Sequence, residues 1–236
     1  MRSFLHAAFA FALAPLAAVS AAQAQQPVPP PPTNLDPSVY MATYIEVAPA
    51  AAGQAVTALK QLMEASRKEA GVLNYDVVQQ VSPTNHFLIL GAWKDQAAFD
   101  AHEAAAYTKE AQTKLTPQLL APPDMRTGSQ MVSPAFKAPT AGAIYVGTHV
   151  DVAPPARDNA AAALVKYDEA ARAASGNERA YSLREKQRLN HFTIVEIWRD
   201  QAANDAFEGT PAFKELRTAI APAIGALFDR RFYKAL

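Results

Sequence analysis

The 236-residue chain carries 22 basic and 22 acidic side chains, so its formal net charge is zero, and half of its residues are apolar. This apolar content is ample for a packed core, and the length allows one large domain or two of about 100 residues each. Nucleic-acid-binding proteins show a basic surplus or stripe, so the neutral charge argues against a nucleic-acid partner. The chain has no cysteine, which excludes disulfides, thiolate metal ligands and a cysteine nucleophile.

The amino-terminal segment is typical of an exported protein. Arg2 precedes an apolar run from residue 4 to residue 19, and residues 22–24 (Ala-Gln-Ala) form a small-x-small cleavage site. The run contains a histidine and a proline, and it is shorter than the roughly 20 apolar residues of a membrane-spanning helix. We therefore expect residues 1–24 to be a cleaved signal peptide. The mature chain is then periplasmic or secreted, with no membrane contact after cleavage.

A proline-rich segment follows the expected cleavage site. Residues 25–37 contain six prolines, four of them consecutive. Proline has no amide donor and favours an extended backbone, so this segment is predicted to be a spacer.

The rest of the chain is a duplication. At an offset of 105 residues, residues 40–131 align with residues 145–236 without a gap, and 32 of the 92 positions are identical. A fixed period of this kind marks repeated structural units. We predict two domains, copy one (residues 38–131) and copy two (residues 145–236), joined by a linker at residues 132–144.

Each copy has the pattern β-α-β-β-α-β. Alternating apolar residues predict the strands, and an apolar stripe predicts the first helix, after which Gly71 and Gly176 are expected to adopt a left-handed conformation. Asp95 and Asp200 are expected to cap a short helix, and Thr210 a second one in copy two. In copy one the predicted elements are strand 40–47, helix 52–70, strands 72–81 and 86–93, the two helices that follow, and strand 125–131.

This order of elements predicts an α+β fold of two tandem ferredoxin-like domains. The helices of such a domain cover one face of its sheet, yet the strands carry apolar residues on the other face as well. That second face holds Tyr40 and Tyr44 of the first strand. On the third strand it holds either His86, Leu88 and Leu90 or Phe87 and Ile89. We expect the two copies to bury these faces against each other, packed sheet to sheet.

Two motifs in the duplicated unit are similar to those of a known family. Residues 87–102 read Phe-x-Ile-x-x-x-Trp-x-Asp-x-x-Ala-x-x-Ala-His, and copy two contains Glu-Ile-Trp-Arg-Asp at residues 196–200 and Thr-Pro-Ala-Phe at residues 210–213. Both copies resemble the antibiotic biosynthesis monooxygenase (ABM) domain family. The resemblance implies a dimeric α/β barrel, here formed within one chain, with a pocket between each sheet and its helices. It also implies that some members oxygenate quinols or polycyclic phenols without metal or flavin.

Related branches of this superfamily degrade haem, and their haem-contacting residues are missing here. The resemblance assigns that role to an Asn on the first strand, a Trp on the short helix and a His further along. The matching positions hold other residues in both copies: Thr43 and Thr148, His102 and Phe207, Gln112 and Arg217. Haem degradation is therefore not expected. No histidines lie at metal-ligand spacing, so a metal site is not expected. The sequence has no Gly-rich phosphate loop and no flavin motif, so no cofactor is expected either.

His102 is the candidate catalytic base, because a neutral imidazole accepts a phenolic proton near neutral pH. The alternative is a partly exposed helix histidine. Gly91, which replaces Glu196 of copy two, either opens the pocket of copy one or reflects neutral drift. Trp93 is grouped with His102 as a candidate catalytic residue that lines the pocket, and the alternative is a core tryptophan between sheet and helix. The other predicted substrate contacts are Tyr107, Tyr75, Thr43 and Phe87, and the predicted pocket of copy two contains Trp198, Glu196 and Tyr181.

The second strand carries an anomaly, because Tyr75 and Tyr181 would match only if one residue were inserted. One step along a strand moves a side chain to the opposite face, so a bulge is expected in one copy.

Two functions remain open. The first is a cofactor-independent monooxygenase acting on a small phenol or quinol, with any chemistry in copy one. The second is a non-catalytic exported module that binds an apolar ligand or a partner protein. In either case the chain is expected to be a monomer with an internal pseudo-dimer, with higher assembly left open.

Overall fold

The computed structural model describes residues 37–132 and 134–236. The expected signal peptide and nearly all of the spacer lie outside these residues. Within the described residues, no helix has the length and apolar character needed to cross a bilayer. The strands are β1 Val39–Glu46, β2 Val72–Gln80, β3 His86–Trp93, β4 Asp124–Gln130, β5 Ile144–Asp151, β6 Asn177–Glu185, β7 His191–Trp198 and β8 Asp229–Ala235; the α-helices are α1 Ala52–Ser66, α2 Gln96–Ala104, α3 Ala106–Leu115, α4 Arg157–Ala173, α5 Gln201–Glu208 and α6 Pro211–Ile220.

The eight strands close into one barrel in the order β1-β3-β2-β8-β5-β7-β6-β4. All neighbouring strands are antiparallel. The last strand of each copy joins the other copy, because β4 pairs with β6 and β8 pairs with β2. The predicted α+β fold of two tandem ferredoxin-like domains, packed as an intramolecular α/β barrel, is thus confirmed. Closure leaves no free edge where the two sheets meet.

The faces that helices leave uncovered form a core shared by both copies. Tyr40, Leu88 and Leu90 of copy one pack in a single cluster with Tyr145 and Tyr181 of copy two. Of the two face assignments left open for β3, the structure therefore places Leu88 and Leu90 inside the barrel. The outer face of the barrel forms two separate cores. In each copy this face packs against the helices of the same copy.

A buried ion pair also connects the copies. The Arg179 guanidinium of copy two lies 3.1 Å from the Asp76 carboxylate of copy one, and Nη2 of the same arginine donates to the Lys137 carbonyl at 2.6 Å. The segment between β4 and β5 is thereby fixed against both copies.

The helix ends follow the predicted caps with one exception. Asp95 and Asp200 each accept a hydrogen bond from the amide three residues on, at 2.8 Å. Gly176 has a left-handed φ of +82°, but Gly71 has no positive φ, so the expectation for Gly71 is wrong. Gly71 instead allows close packing, because a Cβ there would lie 2.3 Å from the Cβ of Ala98.

The expected bulge is present in both copies rather than one. The pairing of β2 with β3 shifts register between Val72 and Asn74, and the pairing of β6 with β7 shifts between Asn177 and Arg179, at equivalent positions. The strands therefore stay aligned without a gap. Because Tyr75 and Tyr181 are then one step out of phase, Tyr75 packs with the helices and Tyr181 packs inside the barrel.

Candidate active site

Copy one contains a cavity of about 330 Å³ between its sheet and its helices. The lining is mostly apolar, with a few polar side chains that point into the same space. The residues that line it are Met41, Thr43, Ile45, Leu62, Tyr75, Ile89, His102, Glu103, Thr108, Ala111, Gln112, Leu115, Thr116, Leu119, Pro123 and Met125.

His102 lies in the last turn of α2 and lines this cavity. Its side chain is only 2% exposed, so the alternative of a partly exposed helix histidine is wrong. Three rings surround the imidazole, with centroid distances of 4.8 Å to Trp93, 5.3 Å to Tyr75 and 6.3 Å to Tyr107. Buried polar atoms are normally hydrogen-bonded. The groups that contact the two imidazole nitrogens of His102 therefore decide which nitrogen can accept a proton.

Glu69 contacts the histidine, and sequence reasoning missed this residue. It follows α1, and its Oε1 lies 2.9 Å from Nδ1 of His102. Its other oxygen, Oε2, accepts a hydrogen bond from the indole Nε1 of Trp93 at 3.2 Å. Alignment of the two copies contained one indication of this pair. Copy two has Ala174 in place of Glu69 and Phe207 in place of His102, so both residues differ together.

Thr43, Thr108 and Glu103 are among the further polar residues that line the cavity. The hydroxyl groups of Thr43 and Thr108 are buried and have no hydrogen-bond partner among the described residues. The Glu103 carboxylate lies 3.9 Å from Nε2 of His102, and burial raises the pKa of this carboxyl above its usual value. Unpaired buried hydroxyls beside an apolar space are suited to a ligand that carries oxygen atoms.

The other predicted substrate contacts divide into two groups. Tyr75 and Thr43 line the cavity, whereas Phe87 and Tyr107 do not. Phe87 is buried in the core of copy one, and Tyr107 packs against the same core, with its ring 6.3 Å from that of His102.

Trp93 is fully buried, packs against the ring of His102 and does not line the cavity either. Its indole also occupies the space beside Gly91. A Cβ at Gly91 would lie 2.3 Å from Cη2 of Trp93. The expectation that Gly91 opens the pocket is therefore wrong, because the missing side chain makes room for the indole.

The corresponding region of copy two is filled by side chains. Glu196 stands in place of Gly91 and is fully buried; it accepts a hydrogen bond from the Tyr167 hydroxyl at 2.9 Å and forms an ion pair with Arg230. Arg230 stands in place of Met125 and also lies over the Phe213 ring at 5.3 Å. The aromatic and charged side chains of copy two thus contact one another where copy one has its cavity.

Trp198 and Tyr181 were predicted to line a pocket in copy two, and the structure places both in packed regions. Trp198 is buried, and its Nε1 has no hydrogen-bond partner among the described residues. Tyr181 lies inside the barrel, 6.2 Å from the Tyr40 ring, so the strand register removes it from the side that faces the helices. Across residues 37–132 and 134–236, no group of three or more His, Cys, Asp or Glu side chains is placed to hold a metal ion.

Comparison with known proteins identifies the duplicated unit. The family model described as "Antibiotic biosynthesis monooxygenase" matches residues 38–114 and residues 143–219. A curated relative, "Putative monooxygenase YcnE" from Bacillus subtilis (strain 168), is 31% identical over 87 residues, which cover 37% of this chain and 92% of that protein. The Bacillus protein therefore corresponds in length to a single copy.

Solved structures match over both copies. A similarly described structure from Lactobacillus acidophilus NCFM is 13% identical with a TM-score of 0.69, and the alignment covers 84% of this chain and 93% of that one. Another from Fusobacterium nucleatum subsp. nucleatum ATCC 25586 is 15% identical with a TM-score of 0.73, over 86% and 94% of the two chains. At these identities the structures establish the shared fold alone. The family model, matched once in each copy, shows that this chain belongs to the antibiotic biosynthesis monooxygenase family, as a tandem member.

Proposed function

We propose that the chain is a monooxygenase whose site is the cavity of copy one and whose substrate is a small aromatic phenol or quinol. The observation that carries this proposal is a buried histidine facing an apolar cavity in only one of two copies of the same fold. Family membership supports the reaction class, and the cavity supports the chemical class of the substrate.

The cavity suits a compact aromatic molecule. Its volume of about 330 Å³ is at the lower end of the range, roughly 300–1,000 Å³, found for small-molecule sites. Apolar side chains such as Met41, Leu62 and Met125 favour a flat ring, and the free hydroxyls of Thr43 and Thr108 would hydrogen-bond to oxygen substituents on it. A bound phenol would satisfy both requirements at once.

His102 supplies the first chemical step in this proposal. The substrate O–H gives its proton to the imidazole, and the resulting phenolate is electron-rich enough to react with O₂. Burial within the cavity orients the anion and keeps water away from it. The residues of this chain would thus contribute proton removal, orientation and exclusion of water.

The proposal is tested by oxygen consumption with metal-free protein and a panel of quinols and polyphenols. We expect oxygen uptake that needs both protein and phenol. His102→Phe, which installs the residue of copy two, should lower kcat/KM by about 100-fold or more. His149→Phe alters a histidine outside the cavity and serves as the matched control.

Two further measurements make the result decisive. Because His102 is buried and bonded to a carboxylate, its replacement is expected to cost about 1.5–3 kcal/mol, so unfolding must be measured for each variant. Thr108→Phe, again the residue of copy two, should fill the cavity and abolish phenol binding. Tight binding of an aromatic ligand without turnover by the wild type would instead favour a non-catalytic binding module.

We also propose that the protein acts outside the cytoplasm, because its first 24 residues have the pattern of a cleaved signal. Amino-terminal sequencing of the protein from the producing cell should then begin at Gln25. An uncleaved amino terminus in the cytoplasmic fraction would refute this location.

A further inference from the structure

We propose that Glu69 is a positioning residue for His102, whose carboxylate holds the imidazole in the tautomer that leaves Nε2 free to accept a proton from a ligand in the cavity. For its effect on turnover this inference rests on the proposed function. Its structural part concerns one proton on one ring nitrogen, which can be observed without any substrate.

The contact with Glu69 is the basis for placing the ring proton. Oε1 of Glu69 is 2.9 Å from Nδ1 of His102, and a carboxylate oxygen accepts hydrogen bonds. In the proposed arrangement Nδ1 therefore carries the ring proton and donates it to Glu69. In a neutral imidazole one nitrogen is a donor and the other an acceptor, so the remaining nitrogen, Nε2, is the basic one.

The surrounding side chains restrict the orientation of the ring, and in the proposal Nε2 is the nitrogen that meets a ligand in the cavity. Trp93, Tyr75 and Tyr107 pack around the ring, which is 2% exposed and has little freedom to rotate. Nε2 lies on the side of Glu103, at 3.9 Å from its carboxylate. Both His102 and Glu103 line the cavity, whereas Glu69 lies outside it and acts only through the histidine.

Copy two shows that the fold does not require this carboxylate. Trp198, the equivalent of Trp93, is equally buried although Ala174 replaces the glutamate, and its indole Nε1 has no partner among the described residues. The family tryptophan is thus accommodated without an acceptor. Copy one has both Glu69 and His102, and copy two has neither. This is expected if Glu69 acts on His102.

The test is NMR of the ¹⁵N-labelled full chain, recorded at a pH at which the imidazole of His102 is neutral. The signals of His102 are assigned by their loss in His102→Phe. We expect the Nδ1–H tautomer in the wild type and, in Glu69→Ala, a shift towards a mixture with the Nε2–H tautomer. Glu69→Gln, which keeps one acceptor oxygen, should retain more of the Nδ1–H tautomer than Glu69→Ala does. An Nε2–H tautomer in the wild type, or an unchanged spectrum in Glu69→Ala, would overturn the proposal.

The two tryptophans provide an internal control. They are the only two in the chain, one in each copy, so each gives its own indole N–H signal. Glu69→Ala should move the signal of Trp93, which loses its acceptor, and leave that of Trp198 in place. Glu64→Ala, an exposed glutamate on α1, should move neither signal. A Trp93 signal that does not respond to Glu69→Ala would contradict the contact on which the proposal depends.

Turnover separates this inference from the proposed function. If the wild type oxygenates a phenol, Glu69→Ala should lower kcat by about tenfold or more while KM changes little, since Glu69 does not touch the cavity. Unchanged kcat in that variant would refute the positioning role and leave the proposed function intact. If no phenol is oxygenated, the proposed function fails, and the tautomer measurement still decides whether Glu69 orients His102.

Discussion

The two copies share one backbone plan and differ in what fills the space between sheet and helices. Copy one has Gly91, which leaves room for the Trp93 indole, and Met125, which lines the cavity beside His102. In copy two, Glu196 and Arg230 replace them and form a buried ion pair. Two copies of one fold can therefore differ in that one contains a cavity and the other is filled by side chains in the same region. Both copies contribute strands to the barrel, but the chemistry we propose involves only copy one.

The largest expected effect comes from breaking the ion pair that fills copy two. Arg230→Met installs the residue of copy one and leaves the fully buried carboxylate of Glu196 without its cation. Removing one partner of a buried pair typically costs about 3–5 kcal/mol of unfolding free energy. Chemical denaturation of the full chain measures this loss.

Two variants calibrate that result. Arg230→Met combined with Glu196→Gly removes both charges and should recover part of the lost stability. Arg231→Met breaks a partly exposed pair with Asp229 and should cost no more than about 1 kcal/mol. A loss of stability in Arg230→Met no larger than in Arg231→Met would show that the buried pair does not hold copy two together.

A smaller effect is expected from Asp168, a buried aspartate of α4 whose equivalent in copy one is Met63. Burial raises the pKa of this carboxyl to about 8, and among the described residues only one of its oxygens has a partner, the Ser182 hydroxyl at 2.9 Å. Between the unfolded pKa near 4 and the folded pKa the native state holds a proton that the unfolded state has lost. Stability therefore falls as pH rises, by up to about 1.4 kcal/mol per pH unit.

Asp168→Asn removes this proton uptake and keeps the shape of the side chain. Because the other titrating groups are common to both proteins, the difference in unfolding free energy between variant and wild type isolates Asp168. That difference should grow in favour of the variant by about 3 kcal/mol between pH 5 and pH 7. A difference that is constant with pH would contradict the raised pKa.

The smallest effect concerns the packing of Trp93 against Gly91 in copy one. Gly91→Ala places a Cβ 2.3 Å from the indole, and overpacking of this kind costs about 1–3 kcal/mol. Gly53→Ala is the matched control, since its new Cβ would meet no atom within 4 Å beyond the adjacent residues and backbone of its own helix, and alanine favours the helix. Thermal unfolding should show a lower Tm for Gly91→Ala only. Equal Tm values for the two variants would mean that the indole moves aside without cost.

The sequence by itself determined the architecture, because architecture depends on patterns that are local or strictly repeated. The offset of 105 residues established the duplication, and the alternation of apolar residues in each strand located the strands that meet inside the barrel. Asp95 and Asp200 were identifiable as caps because a capping side chain acts on an amide three residues away. Interactions of this range can be inferred from the order of residues alone.

The interior of the site was decided by the tertiary structure. Glu69 and His102 are 33 residues apart in the sequence. They meet only because α1 and α2 fold against the same sheet. Gly91 suggested an open pocket, yet the neighbouring indole fills the space it leaves. The side-chain direction of Tyr181 followed from the bulge that both copies share in the second strand. In each case the outcome depended on which side chains meet in three dimensions, because packing fills space among residues that are distant in sequence.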